Sequence, residues 1–420
     1  MPIADLVRGL VGPDLPIAVR AYDGSTAEPP DAVGTLVLNG PGAIHRFLTA
    51  PGELGLGRAY VAGDVDIEGD VFAAVRAIAA ARRAVDPRLV AKLIADVGPS
   101  ALTRRLPPPP EEVQLQGRRH SRARDAAAIN HHYSVSNDFY RIVLGPSLTY
   151  SCAVWTSPDI SLEEAQRNKY ELVSRKLGLQ AGMRLLDVGC GWGGMVLHAA
   201  EHHGVRAVGI TLSDRQADLA TKRVAEAGLA DRVEIRLQDE RDVADGPFDA
   251  ISSIGMFEHV GRQRLHDYFG HLYELLAPGG RLLNHGISRP PNADDRRRVH
   301  RPVSPIGVRR TFIDRYVFPD GELHEVGAVV SALQQEGFEL RHLESLREHY
   351  ALTLRAWVAN LLAGWDAAVA ESSEGRARVW RMYMTAAAVN FEEGRTHVHQ
   401  ALAVKANGGR SGLPLRPHFD

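Results

Sequence analysis

The stretch LLDVGCGWGG, residues 185–194, combines an acidic residue with closely spaced glycines between an apolar run and a helical segment. Asp187 comes first, and Gly189, Gly191 and Gly193 follow at every second position. Glycine lets the backbone adopt left-handed conformations and approach a ligand closely. The helix N-terminus that follows favours a negative group. The stretch therefore predicts a nucleotide-like ligand at a strand-to-helix turn, and a tight turn without a ligand is the alternative.

The glycine spacing favours S-adenosylmethionine over a nicotinamide dinucleotide. It reads G-x-G-x-G-G, whereas dinucleotide-binding turns read G-x-G-x-x-G. The second strand ends in GITLS and not in the acidic residue that commonly binds the ribose of NAD. We expect Thr211, Ser213 and Gln216 to meet the ribose or the methionine part, and Asp239 to accept from the adenine amino group. Ordinary helix caps and turn residues are the alternative for all four.

A second reactive group, Glu258, follows the apolar run FDAIS within the stretch SIGMFEHV. Open α/β sheets bind their ligands beyond the carboxyl ends of the strands. Glu258 is therefore a candidate site residue. An acid that stabilises a helix N-terminus is the alternative.

Short apolar strands and amphipathic helices alternate around these residues. The runs RLLDV, RAVGITLS, VEIRLQ, FDAISSI and GRLLNHGIS indicate strands, and helical patterns lie between most of them. This alternation predicts an α/β fold with a mostly parallel sheet that is covered on both faces. GFELRHLESL is a predicted edge strand, and Ser161 with Glu164 has the spacing of a capping box.

The chain of 420 residues is long enough for more than one domain. Residues 1–102 predict a smaller N-terminal α+β domain for membrane or oligomer contacts, and residues 126–420 the main domain. Between them, residues 103–125 contain four consecutive prolines and many arginines, which predicts a linker.

Bulk composition excludes several classes of protein. The formal net charge of −2 gives no indication of a nucleic-acid partner, and no long apolar run predicts a membrane-spanning helix. Two cysteines, Cys152 and Cys190, form no disulfide framework and fit a reducing compartment. The N-terminus has no signal-peptide pattern, so we expect a cytoplasmic protein.

The chain resembles the cyclopropane-fatty-acyl-phospholipid synthases and the related mycolic-acid methyltransferases. The resemblance covers roughly residues 130–400 and is carried, in the family's order, by HHYSVSNDFYRIVLGPSLTYSCAVW, SLEEAQRNKYELV, LLDVGCGWGG, GITLSDRQ, SSIGMFEHVG, LLNHGISR, FIDRYVFPDGEL and HYALTLRAW. It implies a Rossmann-like methyltransferase domain with a seven-stranded sheet and S-adenosylmethionine as co-substrate.

The resemblance also implies a site that binds bicarbonate as the general base, with no metal. In this sequence its members are Cys152, Glu258, His285, the backbone of Ile287, and Tyr350. Taken singly, these residues also fit packing or capping roles. Cofactor contacts implied in the same way are Tyr150, Ser151, Asp187, Gly189, Gly191, Thr211 and Gln216, with Asp239 and Glu240 beside the adenine.

The implied reaction transfers a methyl group to the cis double bond of an unsaturated acyl chain of a phospholipid, and a carbocation then loses a proton. Ring closure gives a cyclopropane. A hydride shift gives a methylene branch, for which a flavin- or NADPH-dependent reductase is the expected partner. Departures from the family pattern at Ser134, Ser136 and Glu240 favour the methylene-branched (10-methyl) type of product.

The arginine-rich segment 289–310 fits the headgroup of a phospholipid at the inner face of a membrane, and a solvated loop is the alternative. Relatives imply a homodimer. Two other functions stay open on the sequence alone, a non-catalytic lipid-binding protein on a methyltransferase fold and a methyltransferase of small soluble molecules.

Overall fold

We analysed the protein as a computed structural model. It describes residues 1–50, 52–80, 87–98, 106–113, 124, 135–290, 311–319 and 321–419. Most of the predicted linker, Ser134 and the arginine-rich segment from residue 291 onward lie outside these residues. Among the described helices, none combines the length and the apolar character that crossing a membrane requires.

The chain divides into two compact units. The smaller unit comprises Met1–Gln114, Ile306–Pro319 and Ala368–Val389, and the larger unit comprises the rest. The two later segments belong to the main domain in the sequence-based division, so the smaller unit is not one continuous stretch. A role of the N-terminal domain in membrane or oligomer contacts stays a prediction.

The smaller unit has an α+β architecture. Its four-stranded sheet has the order β2-β1-β3-β4, with β1 parallel to β3 and the other pairs antiparallel. The strands are β1 Ile17–Arg20, β2 Thr26–Ala27, β3 Gly34–Leu38 and β4 Val65–Gly69. The helices of the N-terminal segment are α1 Ile3–Val11, α2 Gly42–Thr49, α3 Glu53–Val61, α4 Val71–Ala80 and α5 Pro87–Val97.

The larger unit is built on a seven-stranded sheet of order β10-β11-β9-β8-β5-β6-β7. The strands are β5 Arg184–Val188, β6 Arg206–Thr211, β7 Val233–Leu237, β8 Phe248–Ile254, β9 Leu276–Ser288, β10 Glu339–Ser345 and β11 His397–Val404. Strands β5 to β9 pair in parallel, and β11 is antiparallel to both of its neighbours. The predicted α/β class and the edge position of β10 are confirmed.

The order of the parallel strands reverses between β5 and β8. From β5 the chain moves outward through β6 to β7, and it then returns to the other side of β5 with β8. Such a switch opens a crevice beyond the carboxyl ends of the two central strands. The glycine turn follows β5 and Glu258 follows β8, so the topology places both at this crevice.

Helices cover the sheet of the larger unit. They are α6 Asn137–Leu144, α7 Leu162–Leu177, α8 Gly194–His203, α9 Asp214–Glu226, α10 Leu265–Leu275, α12 Val326–Gln335 and α13 Arg347–Ala363. The remaining helices are α11 Phe312–Tyr316, in the smaller unit, and α14 Trp365–Glu371 and α15 Glu374–Glu392, along which the chain passes between the units. Apolar side chains of β5, β6, β8 and β9 form the core beneath α8 and α10.

Helix α7 shows how local sequence fixes an element that reaches the site. The Ser161 hydroxyl accepts from the backbone N–H of Glu164 at 3.2 Å, and Gly178 ends the helix in a left-handed conformation. Lys169 and Lys176 lie on its buried face. Strand β9 begins at Leu276 immediately after α10, so it is longer than the run GRLLNHGIS that the sequence predicts as a strand.

Candidate active site

The glycine turn after β5 has the backbone conformation that its sequence predicts. Gly189, Gly191 and Gly193 have φ angles of 77°, 56° and 81°, all in the left-handed region that favours glycine. A Cβ atom at Gly189 would stand 3.0 Å from Cγ of Met256. Gly193 is the N-cap of α8. The turn therefore needs glycine at these positions for its backbone conformation.

An open cavity with a volume of about 120 Å³ lies at this turn. Much of the predicted cofactor set lines it, namely Tyr150, Ser151, Asp187, Gly189, Gly191, Thr211, Gln216 and Glu240. Gly193 and Ser213, which the sequence also predicts as cofactor contacts, are not among the lining residues. The Ser213 hydroxyl caps α9 by accepting from the backbone N–H of Gln216 at 3.4 Å.

Asp239 hydrogen-bonds to Arg241 just beyond β7. It is not among the residues that line the cavity. Its carboxylate accepts from the backbone N–H of Arg241 at 3.0 Å and from Nη2 of the same residue at 2.6 Å. Glu240 does line the cavity, and burial, followed by the charge of Asp239, raises its pKa to about 7. A contact of Asp239 with adenine stays a prediction.

Two buried ionisable groups face this cavity. Asp187, at the end of β5, accepts from the Ser252 hydroxyl at 2.6 Å, and burial raises its pKa to about 6. Lys169 faces the same cavity and was not predicted as a site residue. Its Nζ donates to the Ser151 hydroxyl at 3.0 Å and lies 3.9 Å from the centre of the Tyr170 ring. Burial lowers the pKa of Lys169 to about 7. The sequence of a helix does not indicate that a lysine within it will lie on the buried face, as Lys169 does.

Glu258 lies beside this cavity in a short 3₁₀ helix, Phe257–His259, directly after β8. Its Oε1 accepts from the backbone N–H of Ile287 on β9 at 2.7 Å. Its Oε2 is buried and has no hydrogen-bond partner in the described part of the chain. Burial raises the pKa of Glu258 to about 7. The structure thus joins two of the five predicted members of the bicarbonate site by a direct hydrogen bond.

His285 is the next member, three positions from the end of β9. Its Nδ1 lies 3.1 Å from Nε2 of Gln400, while its own Nε2 is buried and meets no hydrogen-bonding group among the described residues. Burial first, and then the charge of Lys169, holds the pKa of His285 well below its ordinary value, so the ring is neutral. His285 pairs with Ile254, the last residue of β8. It therefore lies near the carboxyl ends of the parallel strands, as Glu258 does.

Cys152 and Tyr350 both contact the carbonyl group of Leu346, which directly precedes helix α13. The Cys152 thiol lies 3.6 Å from the carbonyl oxygen of Leu346, which also accepts from the backbone N–H of Tyr350 at 3.1 Å. Burial raises the pKa of the Cys152 thiol, so the group is neutral and does not act as a thiolate. Both residues are buried.

An aromatic series links the cavity wall to Tyr350. The rings of Tyr150 and Trp357 lie 5.4 Å apart, and those of Trp357 and Tyr350 lie 6.0 Å apart in an edge arrangement. Aromatic faces next to a cavity stabilise cations through their quadrupoles. The aromatic series therefore connects Tyr150, which lines the cavity, with Tyr350 of the predicted bicarbonate site.

A separate cluster of potential metal ligands lies between α7 and α8. Glu171, His198 and His203 bring their ligand atoms within 4.8 Å of one another. Oε2 of Glu171 lies 3.3 Å from Nε2 of His198 and 3.0 Å from Nε2 of His203. These hydrogen bonds account for the cluster without an ion.

The doubly wound sheet, the glycine turn and the cavity at the switch point are typical of α/β proteins that bind a nucleotide-like ligand. Comparison with known proteins narrows the class. The family described as mycolic acid cyclopropane synthetase matches residues 120–401. The chain belongs to this family, and it is a SAM-dependent methyltransferase with S-adenosylmethionine as co-substrate.

Similar proteins extend over most of the chain. A probable fatty acid methyltransferase of Mycobacterium tuberculosis is 46% identical over 415 residues, which cover 96% of this chain and 94% of the relative. The solved cyclopropane synthase MmaA2 from M. tuberculosis is 36% identical, with a TM-score of 0.62, and covers 68% of this chain and 99% of its own. Mycolic acid cyclopropane synthase CmaA1, solved with SAH and CTAB, is 36% identical with a TM-score of 0.61, over 67% and 98% of the two chains.

Proposed function

We propose that this enzyme transfers the methyl group of S-adenosylmethionine to the cis double bond of an unsaturated acyl chain in a phospholipid. A bicarbonate ion, bound by Cys152, Glu258, His285, the backbone of Ile287 and Tyr350, removes the proton that the resulting carbocation must lose. The observation that carries the proposal is the presence of two unpaired buried atoms in this group, Oε2 of Glu258 and Nε2 of His285. Among the residues described, neither has a partner.

The chemistry of these atoms fits a small hydrogen-bonding anion. A buried polar atom without a partner costs about 1–3 kcal/mol, so an unpaired atom on each of two predicted site residues supports a ligand that pairs with them. A neutral imidazole donates one hydrogen bond, and a carboxylate accepts one. Bicarbonate offers both functions, since its oxygens accept and its hydroxyl donates. Glu258 orients the ion and does not itself take the proton.

The substrate proposal rests on the family and on the sequence. Relatives are named for fatty acid methyl transfer and for mycolic acid cyclopropane synthesis. The arginine-rich segment 289–310 supplies the charge for an anionic headgroup. We therefore propose action at the cytoplasmic face of a membrane, by a homodimer. The lipid-binding alternative predicts loss of the glycine turn or of the bicarbonate-site residues, and all of these are present.

The product that we favour is a methylene-branched acyl chain, which a flavin- or NADPH-dependent reductase would saturate. A cyclopropane is the second candidate, because both routes share the first step and both need a base. In either route the transferred methyl group loses one hydrogen, so the two products have the same mass.

A product analysis tests the proposal. Oleoyl-phospholipid vesicles are incubated with the protein and S-adenosylmethionine that carries a CD₃ group, and the lipids are analysed by mass spectrometry. We expect a product heavier by CD₂ that takes up two hydrogens on catalytic hydrogenation and gives a methyl branch. A product that resists mild hydrogenation is the cyclopropane and refutes the branched product. Methylation of soluble small molecules, with no change in the lipid, refutes the proposal.

A further inference from the structure

His285 belongs to a row of side chains that crosses three neighbouring strands. The register pairs His285 of β9 with Gln400 of β11, and Gln400 with Glu344 of β10. Lys176 of α7 lies against this row. Its Nζ donates to Oε1 of Gln400 at 2.7 Å and forms an ion pair with Glu344. Lys176, Gln400 and His285 are at most 1% exposed, so bulk solvent does not reach these side chains.

The ammonium group of Lys176 determines which way the Gln400 amide faces. Lysine has donors only, so it must meet the amide oxygen and not the amide nitrogen. The NH₂ group of Gln400 then points at Nδ1 of His285, which lies 3.1 Å away. A neutral imidazole that accepts at Nδ1 carries its proton at Nε2. The chemistry of the row thereby selects one tautomer.

We propose that Lys176 and Gln400 are positioning residues that hold His285 as the Nε2–H tautomer, so that the ring donates to the anion at the site. The inference rests on the proposed function, because the anion is the acceptor of this proton. Nε2 of His285 is buried and free of partners among the residues that the structure describes. The donor is therefore available to a ligand.

The same tautomer protects the ring from the reaction. An imidazole lone pair is a better nucleophile toward a sulfonium methyl group than an alkene is. With the proton at Nε2, the nitrogen that faces the site has no lone pair, and the remaining lone pair at Nδ1 is engaged by Gln400. The opposite tautomer would present a lone pair both to the anion and to the methyl donor.

Nitrogen NMR of the full-length protein tests the assignment directly. Histidine is labelled with ¹⁵N, and among the 18 histidines the signals of His285 are those lost in His285→Gln. At pH 7.5 without bicarbonate we expect a neutral ring with the proton at Nε2. A proton at Nδ1, or a doubly protonated ring, overturns the proposal.

Two variants test the cause. In Gln400→Glu a carboxylate faces both Lys176 and His285, so Nδ1 must donate and we expect the Nδ1–H tautomer. Lys176→Met frees the amide to rotate, and we expect a mixture of tautomers. Lys405→Met is the matched control, because it removes a lysine directly after β11 whose Nζ also donates to oxygen acceptors, the carbonyls of Tyr273 and Leu276 at 2.9 and 2.8 Å. The control should keep the wild-type tautomer.

Kinetics separate this inference from the proposed function. For Gln400→Glu we expect kcat to fall about 100-fold and the bicarbonate requirement to rise, with an unchanged Kd for S-adenosylmethionine. If the variant changes the tautomer but turnover never depends on bicarbonate, the positioning role stands and the proposed base is wrong. If the wild-type ring carries its proton at Nδ1, the positioning role is wrong whatever the base.

Discussion

Oε1 of Glu258 accepts a hydrogen bond from the backbone N–H of Ile287 at 2.7 Å, across the ends of two parallel strands. This bond fixes the carboxyl group and leaves Oε2 buried, without a partner within the described ranges. Burial raises the pKa of Glu258 to about 7. The enzyme therefore maintains a carboxyl group whose ionised form is unfavourable until a ligand donates to it.

Glu258→Gln should separate function from stability. Glu258 has a raised pKa in the folded protein, so ionisation destabilises the fold as pH rises through about 7. At pH 8 the amide removes this cost, and we expect the free energy of unfolding to rise by roughly 1 to 3 kcal/mol. We expect kcat to fall by about 100-fold or more, because the acceptor for the anion is lost. Denaturant unfolding and steady-state turnover measure the two effects.

A buried glutamate elsewhere gives the opposite control. Glu112 is 7% exposed and accepts from Nε and Nη2 of Arg58 at 2.7 Å each. Glu112→Gln breaks a paired charge and should destabilise the fold at the same pH. If Glu258→Gln destabilises the protein at pH 8 as Glu112→Gln does, Glu258 is a structural residue.

Gly189→Ala should weaken the binding of S-adenosylmethionine. The backbone at Gly189 has a φ angle of 77°, and a methyl group there would stand 3.0 Å from Cγ of Met256. Gly228→Ala is the control, because its φ is 68°, nothing lies within 4 Å of an added Cβ, and Gly228 does not line the cavity. Both substitutions should cost about 1 to 2 kcal/mol of stability.

Titration calorimetry distinguishes the two variants. We expect Gly189→Ala to raise the Kd of S-adenosylmethionine by about tenfold or more, with Gly228→Ala at the wild-type value. Equal affinities in both variants would contradict the placement of the cofactor at this turn.

The preference of the site for S-adenosylmethionine over S-adenosylhomocysteine should depend on pH, because Lys169 and Asp187 titrate near neutral pH. Burial lowers the pKa of Lys169 to about 7 and raises that of Asp187 to about 6. As pH rises from 6 to 8, the lysine loses its charge and the aspartate gains one. The sulfonium of S-adenosylmethionine is then favoured over the neutral thioether of S-adenosylhomocysteine, by about tenfold in relative affinity.

Lys169→Met identifies the group responsible. We expect the ratio of the two Kd values to vary less with pH in this variant, because only the carboxyl groups that line the cavity, Asp187 and Glu240, still titrate there. A wild-type ratio that is constant from pH 6 to pH 8 would show that neither charge acts on the sulfonium.

The sequence predicts the central part of the fold well, because its pattern is local. Strands β5 to β8 are short apolar runs that alternate with amphipathic helices, and the glycine turn after β5 identifies the cofactor end of the sheet. Strand β11 was not predicted. Its residues include His397, His399 and Gln400, and polar residues in a strand that is buried within the sheet mask the usual apolar signal.

Contacts between strands could not be predicted either, because they depend on strand order and register. The row through Gln400 depends on the position and register of β11, and the bond from Ile287 to Glu258 depends on the pairing of β8 with β9. Lys169 was missed because its role arises from burial of one face of α7. The resemblance supplied the residue types of the site, and tertiary structure supplies the unpaired atoms that argue for an anion.

Dependence of turnover on bicarbonate tests the central claim most directly. Methyl transfer to vesicles of unsaturated phospholipid is measured in buffers freed of carbon dioxide, and bicarbonate is then added back while S-adenosylmethionine binding is followed separately. We predict that turnover falls on depletion and returns with saturable dependence on bicarbonate, with an unchanged Kd for S-adenosylmethionine. Full turnover in the depleted buffer would contradict the account, because Glu258 and His285 would then not serve an exchangeable base.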